Sequence, residues 1–190
     1  MDNVSFKKSG IIGSTLILLV VGFAASMMPT ESIPILIINL SMLIIVTVTL
    51  VIAWQKYREN KRRHMMIHGY IWLTTLAIYF SLPLLRVLYG HYTFWICLSI
   101  LMIMIVLPYL YAKRIVFGLR NPHKSKFGRI SFTFIILLIF FGLILYRSSF
   151  NESTIELYPI AIYLYLAANL LFILAPGLLL KPGVIDKMDE

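Results

Sequence analysis

Long apolar runs alternate with short polar links along the whole chain, and that pattern sets the first reading. Six runs approach the roughly 20 residues that a bilayer's hydrocarbon core demands of a helix. They are Ile11–Met28, Pro34–Trp54, Gly69–Leu88, Tyr92–Tyr111, Ile130–Tyr146 and Tyr158–Leu180. Backbone amides cannot stay unpaired in hydrocarbon, so each run predicts a transmembrane helix. The expected fold is all-α: a polytopic six-helix transmembrane bundle, one integral membrane domain covering residues 1–190.

The punctuation between the runs agrees with this division. Ser32 ahead of Ile33-Pro34 predicts an N-cap with proline in the first turn of the second span. Ser153-Thr154-Ile155-Glu156 reads as a capping box ahead of the sixth span. Pro83 and Pro108 lie inside spans three and four and predict kinks there. Ala175-Pro176-Gly177 predicts a break near the end of span six. The first run, flanked by Lys7 and Lys8, has the outline of a signal peptide; the five further runs favour a retained first span.

Charge then orients the bundle. Of 17 Lys and Arg residues, 15 fall in the N-terminal tail, the second and fourth links and the C-terminal tail, leaving only Arg86 and Arg147 on the other side. The positive-inside rule therefore predicts both termini in the cytoplasm and a multi-pass protein of the plasma membrane. The net charge of +9 sits in short links beside apolar runs, where it faces anionic headgroups rather than nucleic acid. Sixty per cent of the residues are hydrophobic and 13% are charged, proportions that need lipid as part of the solvent. A lone cysteine, Cys97, excludes an internal disulfide and a multi-cysteine metal cage.

Candidate chemistry is sparse. The predicted spans contain no Asp or Glu, so a carboxylate proton relay or paired-carboxylate hydrolase has no material to work with. No metalloprotease helix, phosphate-binding glycine loop or nucleophile elbow is present. The expectation is a non-enzymatic protein with no catalytic residues.

Three polar constellations remain. On span three, His68, Thr75, Tyr79 and Arg86 share one helical face, with Arg86 roughly 27 Å along the helix from His68. Such a stripe predicts an interior face, either bonding helix to helix with Arg86 snorkelling outward, or lining a ligand site. His64, His68 and His123 form a basic-side histidine set. It reads either as interfacial residues in a cationic field, with no metal, or as a ligand set for a first-row metal or another cofactor. Among those basic residues a bare cation is repelled, so an anionic haem propionate is the more natural guest. On span six, Tyr158, Tyr165, Asn169 and Pro176 share a face; Asn169 and its counterpart Asn39 in span two predict interhelical hydrogen bonds. Gly10, Gly13 and Gly22 predict close helix contact in span one.

The middle of the chain also carries a set of short motifs. They are Ile38-Asn39-Leu40, Arg63-His64-Met65-Met66, Val87-Leu88-Tyr89-Gly90-His91, Leu107-Pro108 with Lys113-Arg114, and His123-Lys124-Ser125-Lys126-Phe127-Gly128-Arg129. Through these, spans two to five resemble the YozB/CtaM-like family of small membrane proteins associated with haem-copper oxidases. The resemblance implies an accessory or assembly role for a respiratory oxidase complex, through haem or copper, with His64, His91 and His123 as inherited polar positions. That family is typically four-spanning and often has a histidine early in span four, where this chain has Ser99. Two alternatives stand beside this role: a small-molecule or lipid-binding or transport protein, and a b-type haem or metal-binding membrane protein.

Overall fold

The computed structural model describes residues 4–123, 125–151 and 157–180. Among them the regular secondary structure is entirely helical. Seven α-helices follow in order: α1 Ile11–Met27, α2 Ile33–Tyr57, α3 Lys61–Val87, α4 Tyr92–Leu110, α5 Ala112–Arg120, α6 Lys126–Asn151 and α7 Leu157–Leu174. Short 3-10 segments precede α1 at Phe6–Lys8 and follow α7 at Ala175–Leu179. Five helices, α2, α3, α4, α6 and α7 with its 3-10 extension, are long and apolar enough to cross a membrane. The first predicted span is a shorter apolar helix of 17 residues, about 25 Å at helical rise and so at the short end of what crosses a hydrocarbon core.

α3 and α7 form the centre of the bundle, packed extensively on one another. In each, 39% of the apolar window is buried, against 11% for α4 and 6% for α6. One core cluster joins them to α4 through Ala77, Leu84, Leu101, Ala161, Ala168 and Phe172. A second joins α1 and α3 through Leu18, Ala25, Leu76 and Tyr79, with Met42, Leu43 and Val46 of α2 packed against it. The outward faces are apolar too: Ile44 and Ile45 of α2, Leu110 of α4 and Ile144 of α6 are each at least 64% exposed. A surface of that kind is solvated by lipid rather than water.

The polar links are shorter and more helical than hydropathy suggests. The predicted second link, 55–68, shrinks to Arg58–Asn60, because α2 continues to Tyr57 and α3 begins at Lys61. The side chain of Asn60 caps α3 by accepting from the Arg63 amide, so a polar N-cap, rather than the edge of the apolar run, sets where the helix starts. The predicted fourth link, 112–129, contains an entire helix, α5, with Ala112, Ile115 and Gly118 buried and Lys113, Arg114 and Phe117 exposed. Its apolar and basic faces cancel in a sliding average, which is why the stretch reads as a polar link.

Other boundaries differ in detail. Ser32 occupies the N-cap position of α2 and Pro34 lies in its first turn, but the serine side chain makes no capping bond. Both α3 and α4 run on through their prolines, Pro83 and Pro108. At Ala175 the last helix gives way to the 3-10 segment, where Pro176 and Gly177 remove a donor and a side chain. The capping box at 153–156 and the C-terminal Lys181 and Lys187 lie outside the described residues.

One end of the bundle gathers the basic segments. The Val4 amide donates to the Arg58 carbonyl at 2.9 Å, fixing the N-terminal strand of chain against the α2–α3 turn. Arg63 donates to the carbonyls of Leu179 and Leu180 at 3.1 and 3.2 Å, drawing the end of the 3-10 segment to the start of α3. α5 packs on that same segment. This basic end thus brings together the N-terminal tail, the α2–α3 turn, α5 and the start of α6.

Candidate functional site: the polar seam of the third helix

α3 carries a continuous polar seam whose partners come mainly from α1 and α2. At the basic end, His64 and His68 lie one turn apart, as residues four apart on a helix must, with ring centroids 5.8 Å apart and nearly edge to face. His64 is only 2% exposed. Its Nε2 lies 3.3 Å from the Ser9 carbonyl, and His68 Nε2 lies 2.7 Å from Ser14 Oγ. The Nδ1 atoms of both rings are buried without a partner among the described residues. Gly10, with φ 78°, turns the chain between the 3-10 segment and α1 and passes the His68 ring closely. A left-handed residue there is tolerated because it is glycine.

Near the middle of the seam, three helices meet in a small hydrogen-bonded knot. Asn39 Nδ2 of α2 donates to the Gly22 carbonyl at 3.0 Å and to Ser26 Oγ at 2.8 Å, both on α1. Ser26 Oγ in turn donates to the Gly22 carbonyl. Tyr79 Oη of α3 donates to the Asn39 main-chain carbonyl at 2.9 Å. Tyr79 is fully buried, and its ring occupies the space where a side chain on residue 22 would stand: a Cβ there would lie 3.1–3.3 Å from ring atoms. Thr75 is buried on the same face, but its hydroxyl returns to the Ile71 carbonyl of its own helix. It packs in the seam without bonding across it.

At the far end, Arg86 reaches the C-terminus of α1. Its guanidinium donates to the carbonyls of Ala25, Ser26, Met28 and Thr30, with the Ser26 contact at 3.0 Å. Helix ends leave carbonyls without intrahelical donors, and a cation there also complements the helix dipole. Arg86 is therefore held as a cap on α1 rather than extended toward headgroups.

The span-six constellation makes a separate, smaller tie. Tyr165 Oη donates to the Cys97 carbonyl of α4 at 2.7 Å, and Asn169 Nδ2 donates to the Tyr165 carbonyl one turn back. Asn169 therefore bonds within α7, and its Oδ1 is left buried without a partner among the described residues. A further tie links α3 to α4 through the hydroxyls of Tyr70 and Tyr109, 2.5 Å apart.

The three basic-side histidines are not one cluster. His123 is exposed in the α5–α6 turn, and among the described residues no three His, Cys, Asp or Glu side chains gather as metal ligands do. Nor does the remaining pair fit haem as packed. The outward Nε2 of each ring is engaged by Ser9 or Ser14, and the nitrogens left over are enclosed. An iron would have to displace Ser9 from His64 or Ser14 of α1 from His68 to reach either Nε2. His91 lies exposed at the opposite end, in the α3–α4 turn.

The opposite side of the seam, namely Ser9 ahead of α1 and Ser14 and Ser26 within it, shows no polar stripe in the sequence, where Gly22 marks only a point of close contact. A signal for it exists: Gly22 and Ser26 are small residues four apart, the spacing that lets transmembrane helices approach. Gly13, by contrast, has nothing within 4 Å of its Cβ position and takes no part. No family model, curated protein or solved structure matches this chain.

Proposed function

We propose that this chain is a non-enzymatic, multi-pass protein of the plasma membrane that assists the assembly or upkeep of a respiratory oxidase complex. Its basic end and both termini face the cytoplasm, a reading that the 15-to-2 division of Lys and Arg supports. The observation that carries the non-catalytic part is where the interior polar groups are bonded. Asn39, Tyr79, Arg86 and Tyr165 hydrogen-bond to main-chain carbonyls of neighbouring helices or the link beyond α1. Groups so engaged hold a scaffold together and are not free to turn over a substrate. The respiratory partner is supported by the likeness of spans two to five to YozB/CtaM-like proteins, and the bilayer is the other partner. Nothing in the charge pattern calls for nucleic acid.

The test is a deletion strain. Loss of the chain should lower terminal-oxidase activity per cell membrane, and wild-type protein should restore it. A His64→Gln/His68→Gln variant, matched for membrane level, should restore it equally well, since a scaffold needs no imidazole. Oxidase activity unchanged by the deletion ends the proposal. Failure of the His variant alone, despite normal membrane levels, would replace the scaffold with a cofactor carrier.

A further inference from the structure

Two cavities at the basic end share a wall, and together they have the two-part chemistry of an amphiphile site. The first, about 410 Å³, opens between α4, α5 and α7 and is closed by the first residues of α6. Met104 and Leu107 of α4, Ile115 of α5, Phe127 of α6 and Ile173 of α7 make its walls almost wholly apolar. Its volume falls within the roughly 300–1,000 Å³ of ordinary ligand sites. The second, about 430 Å³, is lined by Lys113, Arg114 and Lys126 together with Phe117 and Ser125. Arg114 and Phe127 border both, so the apolar slot runs directly into a cationic mouth.

The fold produces this slot for a definite reason. α4 and α6 each pack on α7 but make no extensive contact with one another. The break at Tyr111 lets α5 turn away from α4, and α5 then packs tightly on the start of α6. That packing depends on two glycines: a Cβ on Gly128 would lie 2.1 Å from the Gly118 carbonyl. The elbow places Lys113, Arg114 and Lys126, all exposed, around one opening. Arg114 lies 5.8 Å from the Tyr111 ring centroid, a cation–π distance that keeps the guanidinium at the rim.

We propose that this slot binds one anionic phospholipid of the surrounding bilayer, with an acyl chain between α4 and α7 and the phosphate against Lys113, Arg114 and Lys126. The charge complementarity selects the headgroup, and the apolar walls select a chain that a soluble anion lacks. The slot lies at the basic end of the bundle, where the headgroups of one leaflet meet the protein. This inference does not rest on the respiratory reading, because it is argued from the slot's lining and charge alone.

The test uses the purified full chain in detergent, with retained lipid read by native mass spectrometry after exposure to mixed phosphatidylglycerol and phosphatidylcholine micelles. Wild-type protein should hold one phosphatidylglycerol in preference to phosphatidylcholine, by roughly fivefold for each basic residue engaged. Lys113→Gln/Arg114→Gln/Lys126→Gln should abolish the preference. The charge-matched control Lys7→Gln/Lys8→Gln/Lys61→Gln should keep it. Leu107→Trp, which fills the slot from a half-exposed position, should lose the bound lipid while leaving the basic rim intact. Equal retention of the two lipids by wild type, or an unchanged preference in the rim variant, overturns the proposal. So does displacement of the lipid by millimolar inorganic phosphate, which would mark a plain anion site, or full retention by Leu107→Trp, which would mark surface charge without a slot.

Discussion

A residue without a side chain, Gly22, determines how closely α1 and α3 approach. The Tyr79 ring fills the space beside it, and from there the hydroxyl reaches the Asn39 carbonyl. Gly22→Val should therefore force the two helices apart, lowering the melting temperature in detergent well beyond the effect of Gly13→Val, where the Cβ position is open. Tyr79→Phe isolates the hydrogen bond alone. Interhelical bonds in membranes average about 0.6 kcal/mol and reach ~1.7 kcal/mol, and the enclosure of Tyr79 argues for the upper part of that range. Thr74→Val provides the comparison, since the Thr74 hydroxyl serves only its own helix. Equal losses for Tyr79→Phe and Thr74→Val would show that the Tyr79–Asn39 bond adds nothing to stability.

At the scale of elements, two contacts hold helix ends in place. Arg86 gathers four carbonyls at the end of α1 and beyond it. Arg86→Met keeps an unbranched stem and removes the donors, so α1 should fray from its C-terminus. The expected readout is faster hydrogen exchange at the amides of residues 24–27, with exchange in α7 unchanged. Exchange at residues 24–27 identical to wild type would mean that the cap is ornamental. The α5–α6 elbow is the second contact. Gly128→Ala drives a methyl group into the Gly118 carbonyl and should open the elbow, exposing the α5–α6 turn to protease. Gly90→Ala, with nothing within 4 Å but φ 88°, should cost only its backbone strain and leave protease resistance at the elbow unchanged.

Across the whole molecule, the basic end and its opposite make a topological prediction. In a Cys97→Ala background, His91→Cys at the exposed α3–α4 turn should react with an impermeant thiol reagent in intact cells, and Glu59→Cys at the exposed α2–α3 turn should react only after lysis. The Tyr165 bond survives in that background because it uses the main-chain carbonyl of residue 97. Labelling of both sites in intact cells, or the reverse order, sinks the orientation.

Helical class and the positions of the apolar segments were legible in the sequence because hydropathy is local and additive. Each residue adds its own transfer cost, and a run such as Tyr92–Tyr111 declares itself without reference to the rest of the chain. The face of α3 that carries Thr75, Tyr79 and Arg86 was legible as well, because helical periodicity places those residues together whatever they touch. What they touch was decided only in three dimensions. Arg86 could as well have reached headgroups, and its role as a cap follows from α1 ending beside it. Thr75 and Asn169 lie on predicted interior faces, yet both bond within their own helices. The histidines show the same limit: four residues apart along α3 guaranteed that His64 and His68 would be neighbours, whereas His123, 55 residues further on, depended on how α5 turned. That turn rests on Gly118 meeting Gly128 and on a break at Tyr111, contacts between segments that no local average records. Spacing along a helix fixes proximity within it; proximity between helices is set by packing, which belongs to the whole bundle.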